Sequence, residues 1–225
     1  MTFSIAARCP QTGQIGTAIS SSSICVASRC AFVAPDHGAV LTQNVTNPVL
    51  GQIGLAQLRA GARADAVLAE MVRRESYPEW RQLVVLDGRG ASAVHSGSET
   101  LGIHAGAQGT DVVAAGNMLA EDQVPQAMVD AFAAARGELA ERLLAAMAAG
   151  LAAGGEMGPV HSAGLQVTTA QVSWPVVDLR VDWHDEPIVA LHDLWERYRP
   201  QRDDYVGRAS RPDVAPGYGV PGDTR

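Results

Sequence analysis

The chain of 225 residues contains no lysine, so its fixed positive charge is arginine. That removes a Schiff-base lysine, a phosphate-loop lysine and a lysine general base from the chemistry available. GxxxxGK[ST] does not occur, so neither "GDTR" nor the scattered glycines form a phosphate loop. Excess cationic charge is absent too: the formal net charge is −7 and no basic block or aromatic-interleaved basic stripe is present. General affinity for nucleic-acid phosphates is therefore not expected. Cysteine is sparse and odd in number, with Cys9, Cys25 and Cys30 in a chain too large to need disulfide staples. No apolar run approaches the roughly 20 residues that cross a membrane. The most apolar window, around 139–153, is alanine-rich and carries Glu141 and Arg142. The N-terminus lacks a basic region followed by an apolar stretch, so no signal peptide is read. A reduced, cytoplasmic setting and a small-molecule partner, without nucleic acid or membrane, are the expectations.

What is present is an ordered succession of β and α patterns. Residues 2–8 and 14–20 alternate large and small side chains around the turn-forming "CPQTGQ", which predicts a hairpin. Segments 23–27, 31–34 and 38–45 extend this β-rich region. At "NVTNPVLGQIGLAQLRAG" the period changes: Asn47 before Pro48 predicts a helix start and Gly61 a stop. A second helix runs to about Arg74 on a stripe of Val67, Leu68, Met71 and Val72. "QLVVLDGRGASAVHSG" reads as a hairpin with an Asp-Gly turn, followed by a strand at "DVVAAGNML". Val124, Met128 and Phe132, then Leu139, Leu143 and Met147, mark two more helices that Gly154 and Gly155 end. Strands near 160–171 and 175–183 and a helix over 187–198 complete the pattern. Helices arriving in adjacent pairs argue against a right-handed βαβ winding. The order fits an α+β fold: a four-layer αββα sandwich of two mainly antiparallel sheets with helix pairs outside. Residues 1–199 are expected to form one domain, and the Pro-, Gly- and Arg-rich 200–225 a loosely ordered tail.

Several stretches carry a family resemblance over roughly residues 2–195. They are "TFSIAARCPQTGQIGTAIS", "GAVLTQNVTNPVLGQIGL", "QLVVLDGRG", "AAGNML", "GELAERLLAAMAAGLAAGGE", "HSAGLQV" and "DLRVDWHDEP". In these the chain resembles the DUF1028 family, within the N-terminal-nucleophile (Ntn) hydrolase superfamily. The resemblance implies Thr2 as nucleophile once Met1 is removed, and the function expected on that basis is an amidohydrolase acting on an amide-like C–N bond of a small metabolite. The α-amine, whose ordinary pKa is about 7.7–8.0, would then take the hydroxyl proton directly or through one water. No metal or cofactor is implied. A homodimer is expected on general grounds, though nothing in the sequence marks an interface.

An acyl-transfer site also needs donors for the developing oxyanion. Asn117 in "AAGNML" is the candidate, with an ordinary turn role as its alternative; Asn47 competes, with helix capping as its alternative. Arg29 is the candidate fixed charge near the nucleophile, or else a solvated strand-end residue, and remains protonated either way. Ser21, Ser22, Ser23 and Ser28 are candidate contacts for the amine or substrate. Thr42, Gln43, Asn47 and Ser162 are further substrate-binding candidates, although buried polar residues in strands commonly satisfy one another.

Two other function classes follow from the same residues. One is a non-catalytic Ntn-like protein that binds a small molecule. The other is a metal-dependent hydrolase built on Asp178, Asp182, His184 and Asp185, with His37, His95, His104 or His161 completing the site. That spacing matches no ligand motif. The three cysteines are expected to be inert, because none has the setting of a low-pKa thiol.

Overall fold

The computed structural model describes residues 1–223. Strands β1 (Thr2–Arg8) and β2 (Ile15–Ser21) form the expected hairpin, in register from Phe3↔Ser20 to Arg8↔Ile15. Gly13, at φ 72°, takes the left-handed conformation that its turn requires. The next segment departs from expectation: 23–27 is not a strand but leads into a short helix, α1 (Val26–Cys30). Cys25 is left-handed at φ 55°, and the Ser28 hydroxyl bonds back to its carbonyl at 2.8 Å. Ser162 Oγ receives the Val26 N–H at 3.1 Å. The β-branched side chains of Ile24 and Val26 favour a strand, but these tertiary bonds override that preference.

Strands β3 (Ala31–Ala34) and β4 (Gly38–Asn44) follow, then α2 (Pro48–Arg59) and α3 (Ala64–Arg74). Asn47 caps α2 by accepting the Val49 N–H, and Gly61 at φ 84° follows its end. The second β-run comprises β5 (Arg81–Asp87), β6 (Ser92–Ser96), β7 (Ala105–Gly109) and β8 (Val112–Asn117). Helices α4 (Val124–Ala134) and α5 (Leu139–Ala152), strands β9 (Ser162–Thr168) and β10 (Val177–Val181), and α6 (Pro187–Tyr198) complete the body.

Two sheets result, ordered β10-β9-β2-β1-β8-β7 and β3-β4-β5-β6, with every pairing antiparallel. The larger sheet packs Phe3, Ile5, Ala114 and Leu165 against Phe132, Leu143 and Met147 of α4 and α5. The smaller sheet packs Val40, Leu83 and Val85 against Leu55, Val67 and Met71 of α2 and α3. Between the sheets lie Ala6, Ile19, Leu41, Val84, Leu86, Val113 and Ala115. The chain therefore adopts the expected four-layer α+β sandwich.

One more helix lies in the tail. Residues 202–210 form α7 (Arg202–Ser210), held by contacts rather than by an apolar stripe. Tyr205 stacks on Tyr198 with centroids 5.9 Å apart, and Arg202 reaches Glu138. Arg208 lies 4.3 Å over the Tyr218 ring and donates to the carbonyls of Pro216 and Gly217 at 2.9 Å. Arginine and tyrosine dock by stacking and forked hydrogen bonds, which no hydrophobic periodicity records.

Candidate functional site

Strand alternation decides what β1 offers to each side. Phe3, Ile5 and Ala7 enter the helical layer, so Thr2, Ser4 and Ala6 face the opposing sheet. The register places Asn117 of β8 opposite Thr2, and extending the β1–β2 hairpin by one residue places Ser21 on its other side. Sheet packing brings Gln43 of β4 and Gln82 of β5 to the same end of the interlayer. There the apolar seam gives way to a buried polar chain.

Each amide in that chain is fixed by the next. Ser4 Oγ donates to Gln43 Oε1 at 2.6 Å, and Gln43 Nε2 donates to Gln82 Oε1 at 2.8 Å. Gln82 Nε2 is bonded to Ser96 Oγ at 3.0 Å and to the Gly116 carbonyl at 2.9 Å. Asn117 Nδ2 donates to the same Gln82 Oε1 at 3.1 Å. Asn117 is fully buried, and its Oδ1 has no partner among the described residues. Buried amides are costly unless paired, so this chain orients Asn117 while leaving its oxygen and second N–H uncommitted.

Thr2 is buried at the lip of this cluster. Its hydroxyl lies 3.4 Å from Ser21 Oγ and bonds to the Met1 carbonyl, and Ser21 Oγ bonds to that carbonyl at 2.5 Å. The Ser23 N–H donates to Ser21 Oγ at 3.0 Å, holding this hydroxyl in place. The neighbouring wall comes from the turn after α5. Gly154 and Gly155, at φ 114° and 58°, reverse the chain, and Glu156 then pairs with Leu119 in an isolated bridge. Both Glu156 oxygens accept the Ser22 N–H at 3.2 Å. Burial pushes the Glu156 carboxyl up to about 7, against the lowering pull of the Met1 ammonium and of the Ser22 bonds.

The other sequence candidates separate into supports and bystanders. Ser162 pins the 23–26 loop, donating to the Ser23 carbonyl at 2.6 Å and accepting the Val26 N–H. Ser28 bonds within its own turn. Arg29 does not face Thr2: its guanidinium reaches the carbonyls of Ile24 at 2.5 Å and Cys25 at 2.9 Å. Thr42 lies one residue out of phase with Gln43, so its hydroxyl meets Thr46 and the Asn47 carbonyl, each at 3.3 Å. Asn47 caps α2 and donates to Glu75 at 2.7 Å, the alternative already open to it. Glu156, Gln82 and Ser4 were missed. The signal for Gln82 and Ser4 is a polar residue on the inward phase of a buried strand; for Glu156, a carboxylate after a Gly-Gly stop is the only trace.

The acidic cluster near β10 is not assembled. Asp178 makes two bonds of 2.8 Å to Arg180, while His184 Nδ1 accepts the Glu186 N–H at 2.9 Å. Among the described residues, no group of three or more His, Cys, Asp or Glu is placed to hold a metal ion. Burial pushes the Cys30 thiol up, as for an inert cysteine, whereas at Cys9 the raising effect of burial is outweighed by hydrogen bonds with Thr12 and Gln11, which lower the thiol. No helix among the described residues is long and apolar enough to cross a membrane.

Comparison with known proteins identifies a family and one solved structure of the same fold. The model of the family described as "Family of unknown function (DUF1028)" matches residues 2–191. A DUF1028 protein from Silicibacter pomeroyi is 33% identical, with a TM-score of 0.82, and the match covers 88% of each chain. Eukaryotic HslV from Trypanosoma brucei matches at 10% identity and a TM-score of 0.46, over 74% of this chain and 98% of that one. Anbu from Yersinia bercovieri matches at 12% identity and a TM-score of 0.37, over 88% and 95%. No curated protein sequence matches the chain.

Proposed function

The chain belongs to the DUF1028 family of unknown function, and we propose that it is an Ntn-type amidohydrolase cleaving an amide-like C–N bond in a small metabolite. The observation that carries this reading is the setting of the Thr2 hydroxyl. It is buried at the end of β1, flanked by Ser21 and Asn117, and the residue before it is Met1. A strand-starting threonine with a structural role alone needs neither an oriented asparagine nor a converging serine beside it.

With Met1 removed, the Thr2 amine takes the proton of its own hydroxyl as Oγ1 attacks the substrate carbonyl carbon. Charge develops on the carbonyl oxygen, where Asn117 Nδ2–H and Ser21 Oγ–H donate. The C–N bond breaks as the ammonium of Thr2 returns the proton to the departing nitrogen. A water then attacks the acyl–threonine ester by the same route in reverse, releasing the acid and restoring the hydroxyl. Gln82 holds Asn117 throughout, and Arg29 takes no part.

The test is turnover of a panel of small chromogenic arylamides by protein whose intact mass shows loss of Met1. Thr2→Ala should abolish hydrolysis and Thr2→Ser should retain a measurable fraction. Unchanged turnover in Thr2→Ala would end the nucleophile reading and favour a binding role.

A further inference from the structure

Residues 143–155, between Arg142 and Glu156, carry no charged or hydrogen-bonding side chain. Helix α5 runs through most of this stretch, and its inward positions Leu143, Ala146, Met147 and Gly150 are buried. Its outward positions Ala145, Ala148, Leu151 and Ala152 are exposed and equally apolar. The other outer helices present polar groups to water: Asp65, Arg73 and Arg74 on α3, Gln126 and Asp130 on α4, Asp193 and Glu196 on α6. A helix that is apolar on every side is one whose outer face is covered.

Helix propensity accounts for exposed alanine, but not for Leu151 or for Val189 of α6. These are 42% and 54% exposed. They stand at a groove of about 360 Å³ between α5 and α6, which they line with Leu144, Ala148, Ile188 and His192. A contiguous apolar patch of this kind marks an interaction surface.

Charge decides what covers it. The ionised groups bordering the face are already engaged within the chain. Glu141 pairs with Arg199 at 2.6 Å, Glu138 pairs with Arg202, and Arg142 lies 3.9 Å over the Phe132 ring. An anionic lipid surface or nucleic acid is repelled by a chain of net charge −7 that has no lysine. A second copy carries the same charge, so two copies meet at least electrostatic cost where neither presents any. The size also fits. Helices of 14 and 12 residues are about 21 and 18 Å long. A face of that length and two helices wide is on the scale of the roughly 800 Å² that each partner buries in a standard interface.

We propose that the α5–α6 face is where two copies of this chain associate, about a two-fold axis passing near Ala148. Helix α5 of each copy then lies antiparallel to α5 of the other, and the alanines allow axes about 8 Å apart. Leu151 of each copy enters the groove of the other, so one patch supplies both knob and hole, as an isologous contact requires.

The test is sedimentation velocity of the full chain from about 1 to 100 µM, the range in which an association of moderate strength is read. The parent should sediment at twice 23.6 kDa. Ala148→Glu brings two carboxylates together at the axis and should weaken association by about a hundredfold or more. Its circular dichroism should stay that of the parent, because the position is exposed and glutamate is a good helix former. Leu151→Gln removes the knob without adding charge and should weaken association by about tenfold. Ala69→Glu, on the exposed face of α3, adds the same charge elsewhere and should change nothing. A monomeric parent, or an assembly of any size that Ala148→Glu leaves intact, would overturn the proposal. Equal dissociation by Ala69→Glu would show that net charge governs association, and would also overturn it. If Ala148→Glu does not fold, Ala148→Cys decides. Mild oxidation should link two copies through position 148, where facing Cα atoms lie within the about 7 Å reach of a disulfide, and leave the parent unlinked. No linkage would then overturn the proposal.

Discussion

Glu156→Gln should make the folded protein more stable than the parent, and increasingly so as pH rises. The carboxyl has a folded-state pKa of about 7 against an ordinary value of 4.5. The folded chain therefore holds its proton over a range in which the unfolded chain has released it. Between those values the unfolded state binds fewer protons, so this group's contribution to stability falls as pH increases and levels off above 7. At about 1.36 kcal/mol per pK unit the fall amounts to about 3 kcal/mol. Glutamine has nearly the same shape, still accepts the Ser22 N–H and has no such titration. Urea unfolding of both proteins with Met1 retained, at pH 5 and pH 8, gives the difference between them at each pH. That difference should move toward Glu156→Gln by about 2–3 kcal/mol across the interval, which cancels contributions from other carboxylates. A difference independent of pH, or one that moves toward the parent, would mean that the carboxylate is held as a stabilised anion and would refute the reasoning.

Gln82→Leu removes the oxygen shared by Gln43 and Asn117 and the donor to Gly116. Each buried group left unpaired costs about 1–3 kcal/mol, so denaturation should show a loss of several kcal/mol, with activity lost as Asn117 is released. Arg29→Ala should leave arylamide turnover within about twofold, because the lost bonds are to its own loop and each is a modest one; a loss of a hundredfold would return Arg29 to the site. Gly164→Ala would put a Cβ 2.3 Å from Ala27 Cβ, displacing α1. It should destabilise by about 1–3 kcal/mol in thermal or urea unfolding, the usual cost of overpacking.

The αββα order was legible because it rests on period. Alternation in β1 and β2, and the stripes of α3, α4 and α5, follow from which face is buried. The short helix α1 was not legible: its cause is Ser162, more than a hundred residues away in the chain. Strand β7, "AGAQG", has no alternation and joins the sheet edge through its backbone pairing to β8. Helix α7 depends on tyrosine stacking and on Arg202 and Arg208 rather than on an apolar face. In the site, Thr2, Ser21, Gln43 and Asn117 were visible as polar residues at strand ends, and the structure gathers them. Thr42 is adjacent to Gln43 in sequence but points elsewhere, since nearness along the chain does not set the phase of a side chain, and Arg29 is turned into its own loop. Glu156 belongs to a loop, and only the folded turn carries it to the N-terminus of β1.

The central claim is that the Thr2 hydroxyl is the nucleophile, and trapping tests it most directly. Protein purified from a bacterium with normal aminopeptidase would be treated with an α-amino β-lactone and mapped by peptide mass spectrometry. The expected result is a chain lacking Met1, with a single acyl adduct on Thr2 through an ester that hydroxylamine removes, and no adduct in Thr2→Ala. Met1 retained throughout, or an adduct that persists in Thr2→Ala, would contradict it.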